Sequence, residues 1–314
     1  MWKACVYRLV MSDLSLPHTD MPANSWIDRF VPSWAQPYAR LMRLDRPAGT
    51  WLLLLPCWWG VVLAGEGLPD FWLMFLFALG AIVMRGAGCV VNDILDREID
   101  RKVERTRRRP LACGAVKLWQ ALALLAVLLL IGLGVLLRFN AFTIGLGVAS
   151  LALVFVYPLA KRVTWWPQLV LGLAFNWGAL VGWSAVRGDL GWPPLLLYVA
   201  GVFWTLGYDT IYAHQDRRDD AQIGVKSLAL RLGDSSPPWI AGFYALALLL
   251  LATAGHAAAL GNAFYPALLA AALHARWQVE GWSMNDPADC LRRFRSNRDF
   301  GLLVLAALVI GKNL

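Results

Sequence analysis

Apolar residues along this chain gather into long unbroken runs, and polar residues collect in the short intervals between them. Stretches of the length that crosses the hydrocarbon of a bilayer, about 17 to 25 residues, lie at 48 to 65, 71 to 91, 116 to 137, 140 to 157, 168 to 186, 193 to 212, 239 to 259, 263 to 279 and, in shorter form, 300 to 312. None alternates with the period of two that marks a half-buried strand, so the pattern predicts an all-α membrane protein, a bundle of nine transmembrane helices. Residues 34 to 46, WAQPYARLMRLDR, mix Trp, Leu and Met with Arg and predict a short helix in the interface ahead of the first span. Residues 1 to 33 are polar with scattered Pro and lack the basic start, apolar core and cleavage site of a signal peptide. They predict a loosely ordered tail, with 34 to 314 forming one transmembrane domain.

Composition agrees: 59% of the 314 residues are hydrophobic, seventeen are Trp, and mean hydropathy is +0.53, values outside the range of a water-soluble domain. The net charge of +8 would suit nucleic acid, but the placement of the charges points to membrane topology. With the N-terminus cytoplasmic, the loops on that side hold eighteen Lys and Arg: 97, 101, 102, 105, 107, 108, 109, 117, 161, 162, 217, 218, 226, 231, 292, 293, 295 and 298. The other side holds only Arg138, Arg187 and Lys312. That asymmetry orients the chain N-terminus inside and removes the reason to invoke nucleic acid. The five Cys form no CxxC pair and read as small core residues rather than a disulfide or zinc framework.

Candidate chemistry sits where two of these runs end. NDILDREID closes the second, with Asn92, Asp96 and Asp100 four residues apart, so that in a helix they share one face. YDTIYAHQDRRDDAQIGVKS follows the sixth, with Tyr212, Asp216 and Asp220 at the same spacing. Like charges one turn apart repel, and a cation resolves that repulsion. Carboxylate and amide oxygens are hard ligands that select Mg²⁺ or Ca²⁺, and Mg²⁺ commonly completes its shell with water and substrate phosphate. Arg85, inside an apolar span where a charge is expensive, together with Arg105, Arg107, Arg108, Arg109, Lys161 and Arg162, supplies cations suited to phosphate. His214 has no partner at metal spacing, and Arg276 lies where it can snorkel to water. An apolar chain carrying a diphosphate would use all these parts together. Acids at helix ends also suit a cation or phosphate transporter, but such a protein places its ionisable groups near the midplane, and these lie at one face.

At these residues the chain resembles the UbiA superfamily of intramembrane prenyltransferases. LDRPAGTWLLLLPCWWG at 44, MRGAGCVVND at 84, YPLAKRVTWWPQLVLGLAFNWGALVGW at 157, GYDTIYAHQDRRDDAQIGVKSLALRLG at 207 and FRSNRDFG at 294 are similar to its 4-hydroxybenzoate polyprenyltransferase group, over about residues 36 to 311. The resemblance implies a nine-helix bundle in a bacterial or mitochondrial inner membrane. It implies Mg²⁺-dependent transfer of a polyprenyl chain from polyprenyl diphosphate to 4-hydroxybenzoate in ubiquinone synthesis, and points to no obligate protein partner; another aromatic acceptor is the alternative. Carried over by position, it assigns Asn92, Asp96, Asp100, Asp216 and Asp220 to the metal and diphosphate, and Arg85, Arg109 and Lys161 to the diphosphate. Arg46, Tyr157, Arg162 and Tyr212 fall around the acceptor pocket, and Asp93 and Asp219 in supporting positions. Cys113, where a Ser is common, and Leu228, where Thr is usual, depart from the pattern.

Overall fold

A computed structural model describes residues 21–22, 24–103, 106–217, 224 and 226–314, and of residues 155, 157–159, 161 and 162 the backbone alone. Among the described residues there is no strand. The helices among the described residues are α1 (Trp26–Phe30), α2 (Gln36–Leu41), α3 (Ala48–Ala64), α4 (Phe71–Leu95), α5 (Arg97–Asp100), α6 (Leu118–Leu136), α7 (Ala141–Val163), α8 (Pro167–Arg187), α9 (Trp192–His214), α10 (Leu228–Leu232), α11 (Ser236–Ala257), α12 (Phe264–Val279) and α13 (Pro287–Asn313). Five segments, Phe71–Leu95, Leu118–Leu136, Pro167–Arg187, Trp192–His214 and Leu228–Ala257, are long and apolar enough to cross a bilayer, and Ala48–Ala64 and Ala141–Val154 are shorter apolar helices. The protein is therefore a multi-pass membrane protein.

Helix ends follow local chemistry. Asp70 accepts from the N–H groups of Trp72 (2.8 Å) and Leu73 (3.1 Å) and starts α4. Asn140 accepts from Thr143 N–H (2.9 Å) and starts α7. Each satisfies N–H groups that the first helical turn leaves unpaired. Pro167 opens α8, where its missing N–H costs nothing, and Gly188 at φ 75° closes it in the left-handed conformation.

Three sequence expectations change. Within the supposed tail, Trp26–Phe30 is helical: the Asp28 carboxylate accepts from the N–H (2.9 Å) and Oγ (3.1 Å) of Ser25, and Arg40 of α2 pairs with it at 2.6 Å. The run at 140 to 157 continues as helix to Val163, so Lys161 and Arg162 belong to α7 rather than to a loop. The run at 300 to 312 belongs to a helix that begins at Pro287, capped by Asp286. The charged first half of α13 is helical because its charges are paired: Asp289 bonds Arg292 (2.5 Å), Arg293 (3.1 Å) and the Ser283 N–H (2.9 Å).

The chain divides into two compact units. One comprises Met1–Thr50 with Leu79–Leu136, the other Trp51–Ala78 with Leu137–Leu314. The first packs Leu41, Val83, Ala87, Val90, Leu111, Val116, Ala121 and Leu128 into one core. Only 17% of the apolar window of α6 is buried, so most of its Leu-rich surface is left for lipid.

The second unit centres on packed aromatic rings: Trp204 lies 5.0 Å from Trp59, tilted against it, and is stacked on Phe300 at 5.4 Å. Lipid is as apolar as these side chains, so close packing and hydrogen bonds hold the helices together. Helices α3 and α8 touch backbone to backbone. A Cβ on Gly60 would stand 2.3 Å from the Ala179 carbonyl oxygen, and one on Gly182 would stand 2.1 Å from that of Cys57; only glycine permits that approach. A group of buried polar side chains pairs across three helices and Trp204. Gln278 of α12 and Asn297 of α13 exchange two amide bonds at 3.0 Å, Tyr244 donates to Gln278 (2.6 Å), and Trp204 donates to Asn297 (2.8 Å).

Candidate active site

The first acidic rack is not a continuous helix. Helix α4 stops at Leu95, Asp96 takes a turn conformation (φ −93°, ψ 5°), and α5 resumes at Arg97. The four-residue register nonetheless survives the break: Asp96 N–H donates to the Asn92 carbonyl (2.9 Å) and Asp100 N–H to that of Asp96 (2.8 Å). Along this ladder Asn92 is exposed, Asp96 half-buried and Asp100 buried. All three offer oxygen donors alone, a set that fits a hard divalent cation. Among the described residues no three His, Cys, Asp or Glu side chains form a metal cluster by themselves.

The buried end of the rack is tied to cations. Arg109 Nη1 donates to both oxygens of Asp100 (3.2 and 3.0 Å) and to Asp93 Oδ1 (3.3 Å). Arg43 Nη2 donates to that same Asp93 oxygen at 2.6 Å. The Asp93 side chain is 1% exposed and that of Arg43 10%. A carboxylate so buried is retained because guanidinium groups compensate its lost hydration. Burial pushes the Asp100 carboxyl above its usual range, against the opposing pull of Arg109. The loop after α5 fixes Arg109 from behind: Thr106 Oγ1 donates to the Asp100 carbonyl (3.1 Å), Arg109 N–H to the Thr106 carbonyl (2.8 Å), and Arg101 Nε to the Ala112 carbonyl (3.2 Å).

Arg85 lies two turns before Asn92 on α4, its guanidinium against the backbone at Gly49. A Cβ there would meet Nε at 2.6 Å and Nη2 at 2.9 Å. Arg46 bonds its neighbour Asp45 at 3.2 Å. The structure thus brings Arg109, Asp93 and Asp100 together as one ionic group. Arg43, which completes it, was not singled out from the sequence. It stands one residue before the LDRP stretch and 50 residues from its partner, and no local spacing signals a pairing of that range.

In the second unit, α9 ends at His214, and Asp216 follows in a half-buried turn. Tyr212 packs its ring against Phe294, centroids 4.3 Å apart, which links the YDTIYAHQD and FRSNRDFG stretches. His214 is buried, bonded to Ser236 Oγ at 2.8 Å and set edge-on to Trp282 at 4.9 Å, the surroundings of a structural histidine. Leu228 is buried with Leu206 and Phe243. Arg105, Asp219 and Asp220 lie outside the described residues, as do the side chains of Tyr157, Lys161 and Arg162.

Residues 53–304 match the UbiA prenyltransferase family. The chain is 49% identical over 293 residues to the mitochondrial 4-hydroxybenzoate polyprenyltransferase of Arabidopsis thaliana, covering 92% of this chain and 72% of that protein. It is 50% identical over 284 residues to the human protein of the same description, covering 90% and 76%. Among solved structures, a UbiA homolog from Aeropyrum pernix K1 superposes with a TM-score of 0.71 at 27% identity, covering 83% of this chain and 97% of that one. A UbiA homolog from Archaeoglobus fulgidus bound to GPP and Mg²⁺ superposes with a TM-score of 0.63 at 17% identity, covering 86% and 99%. On matched length, on identity and on fold alike, this chain belongs to the UbiA prenyltransferase family.

Proposed function

We propose that this enzyme transfers a polyprenyl group from polyprenyl diphosphate to the ring carbon ortho to the hydroxyl of 4-hydroxybenzoate, a step of ubiquinone biosynthesis. One observation carries the reading: about half of all positions, over nine-tenths of the chain, are shared with curated enzymes of that activity. The acidic ladder and its attendant arginines supply the matching chemistry.

In this reading Asn92, Asp96, Asp100, Asp216 and Asp220 hold Mg²⁺, which when bound neutralises the diphosphate and acts as a Lewis acid on its oxygens. Arg85, Arg109 and Lys161 bind the diphosphate and share the charge it gains as the allylic carbon–oxygen bond breaks and the electron pair leaves with oxygen. Asp93 and Asp219 take supporting positions beside the two racks. The allyl cation is attacked by the electron-rich ortho carbon, which then loses its proton. Arg46, Tyr157, Arg162 and Tyr212 position the acceptor, with Arg46 or Arg162 facing its carboxylate. The apolar bundle excludes the water that would otherwise capture the cation. We assign nine spans with the N-terminus inside and the site on that positively charged side, in an inner membrane of bacterial or mitochondrial type.

The test uses purified protein in detergent with labelled polyprenyl diphosphate, 4-hydroxybenzoate and Mg²⁺. Prenylated product forms, and it disappears with EDTA, with Asp96→Ala and with Asp216→Ala. Turnover at the normal rate in either variant would show that the racks are wrongly assigned.

A further inference from the structure

We propose that Arg43 is a positioning residue for the diphosphate site, acting through Asp93 to keep the Arg109 guanidinium directed at Asp100 and the anionic substrate. The inference rests on the reading of Arg109 as a diphosphate-binding group. It adds a residue and a division of labour that the acidic motif does not contain.

Arg43 has φ 60°, one of three left-handed non-glycine residues among those described. It sits where α2 ends: its N–H donates to the Arg40 carbonyl (3.0 Å), and Leu44 N–H reaches back to that of Ala39 (3.0 Å). This is the double closure of a helix terminus that normally places glycine at the left-handed position. A side chain there costs conformational energy, so the presence of Arg calls for a use of the side chain. The guanidinium is held from two directions, by the Arg40 carbonyl at Nη1 (3.3 Å) and by Asp93 at Nη2 (2.6 Å).

The second observation is how Arg109 is shared. One nitrogen, Nη1, serves three carboxylate oxygens, and its longest bond is the one to Asp93. Asp93 therefore takes its main compensation from Arg43 and only a residual contact from Arg109. Two carboxylates and two guanidiniums make a neutral quartet. Without Arg43 the 1% exposed Asp93 carboxylate would have Arg109 as its remaining guanidinium among those bonded to it. A buried charge without its partner is strongly unfavourable, so Arg109 would be drawn from Asp100 toward Asp93. Arg43 prevents that redistribution without touching the substrate.

The experiment is a double-mutant cycle in the full-length protein in detergent, with KM and kcat measured for each substrate. Calorimetric titration with polyprenyl diphosphate in Mg²⁺ gives the corresponding affinities, and thermal unfolding monitors the fold. Arg43→Met raises the KM for polyprenyl diphosphate by about tenfold to a hundredfold, the usual effect of removing a group that orients a ligand, and leaves the KM for 4-hydroxybenzoate unchanged. In an Asp93→Asn background, with no charge left to misdirect Arg109, the same substitution costs less than about threefold. Arg43→Lys, which keeps the charge, restores most of the affinity. Arg43→Gly suits the left-handed backbone and repeats the comparison should the Met variant fold poorly. An equal loss from Arg43→Met with and without Asp93→Asn overturns the proposal, as does a loss shared equally by both substrates. If Arg109→Ala weakens diphosphate binding and Arg43→Met does not, this inference alone fails; if neither does, the assignment of Arg109 fails with it.

Discussion

Adding one methyl group at Gly182 tests whether backbone contact holds the second unit together. In Gly182→Ala the new Cβ would lie 2.1 Å from the Cys57 carbonyl oxygen and 3.1 Å from the Val61 nitrogen, about 1.3 Å short of the 3.4 Å at which ordinary contact begins. Both obstacles are backbone, so no side chain can rotate away, and α3 and α8 must separate. Atom pairs at optimal distance contribute about 0.1–0.2 kcal/mol each, and a gap near 1 Å forfeits a quarter to a half of that. For a crossing of roughly 40 such pairs the loss is about 1–4 kcal/mol. Alanine returns up to about 1 kcal/mol in helix propensity, and the net destabilisation expected is about 1–3 kcal/mol, the usual cost of overpacking. The measurement is the unfolding midpoint in detergent, with Gly242→Ala as control. Gly242 is also inside a helix, but its added Cβ meets nothing within 4 Å, so that variant keeps or slightly raises the midpoint. Gly60→Ala opens the same crossing, so combining it with Gly182→Ala costs less than the sum of the two. A Gly182→Ala protein as stable as the control would refute the reasoning.

Other consequences follow from the same geometry. Gly49→Ala pushes the Arg85 guanidinium from its seat and raises the KM for polyprenyl diphosphate about tenfold with no change for the acceptor; identical kinetics would remove Arg85 from the site. Asn297→Leu strands the Trp204 N–H in an apolar core, while the Gln278 amide keeps Tyr244 and His274, and destabilises the protein by about 1–3 kcal/mol for that orphaned group, read as a lower midpoint at pH 7. For Asp289, burial pushes the carboxyl up, but the Ser283 N–H, Arg292 and Arg293 hold it on balance below its usual range. Its contribution to stability is therefore complete above the unfolded value of about 4 and lost as pH falls through the lower folded value. Wild type thus loses stability below about pH 4 more steeply than Asp289→Asn; parallel acid profiles would show that the ion pairs do not couple to folding.

Much of this molecule is legible in sequence because its cause is local. Apolar runs at 71, 116, 168 and 193 become helices long enough to span since bilayer thickness and backbone hydrogen bonding leave a run of that length few alternatives. The four-residue step of Asn92, Asp96 and Asp100 persists as a hydrogen-bond ladder, again because it is a property of one helical turn. Less legible were the ends. Composition placed Arg292, Arg293 and Lys161 in loops, whereas helices continue through them; Arg292 and Arg293 are paired with Asp289, and hydropathy carries no record of a partner.

The sequence by itself determined the solvent, the helical class, the family and the two acidic motifs, for each depends on residues close together in the chain. Only the tertiary structure decided that Arg43 meets Asp93 across 50 residues, that Gln278 and Asn297 close an amide pair between two helices, and that Gly182 brings α8 against the backbone of α3. The physical reason is common to all three. Lipid supplies no hydrophobic force between helices, so specificity comes from a few close approaches and polar pairs, and those exist only once the helices have packed.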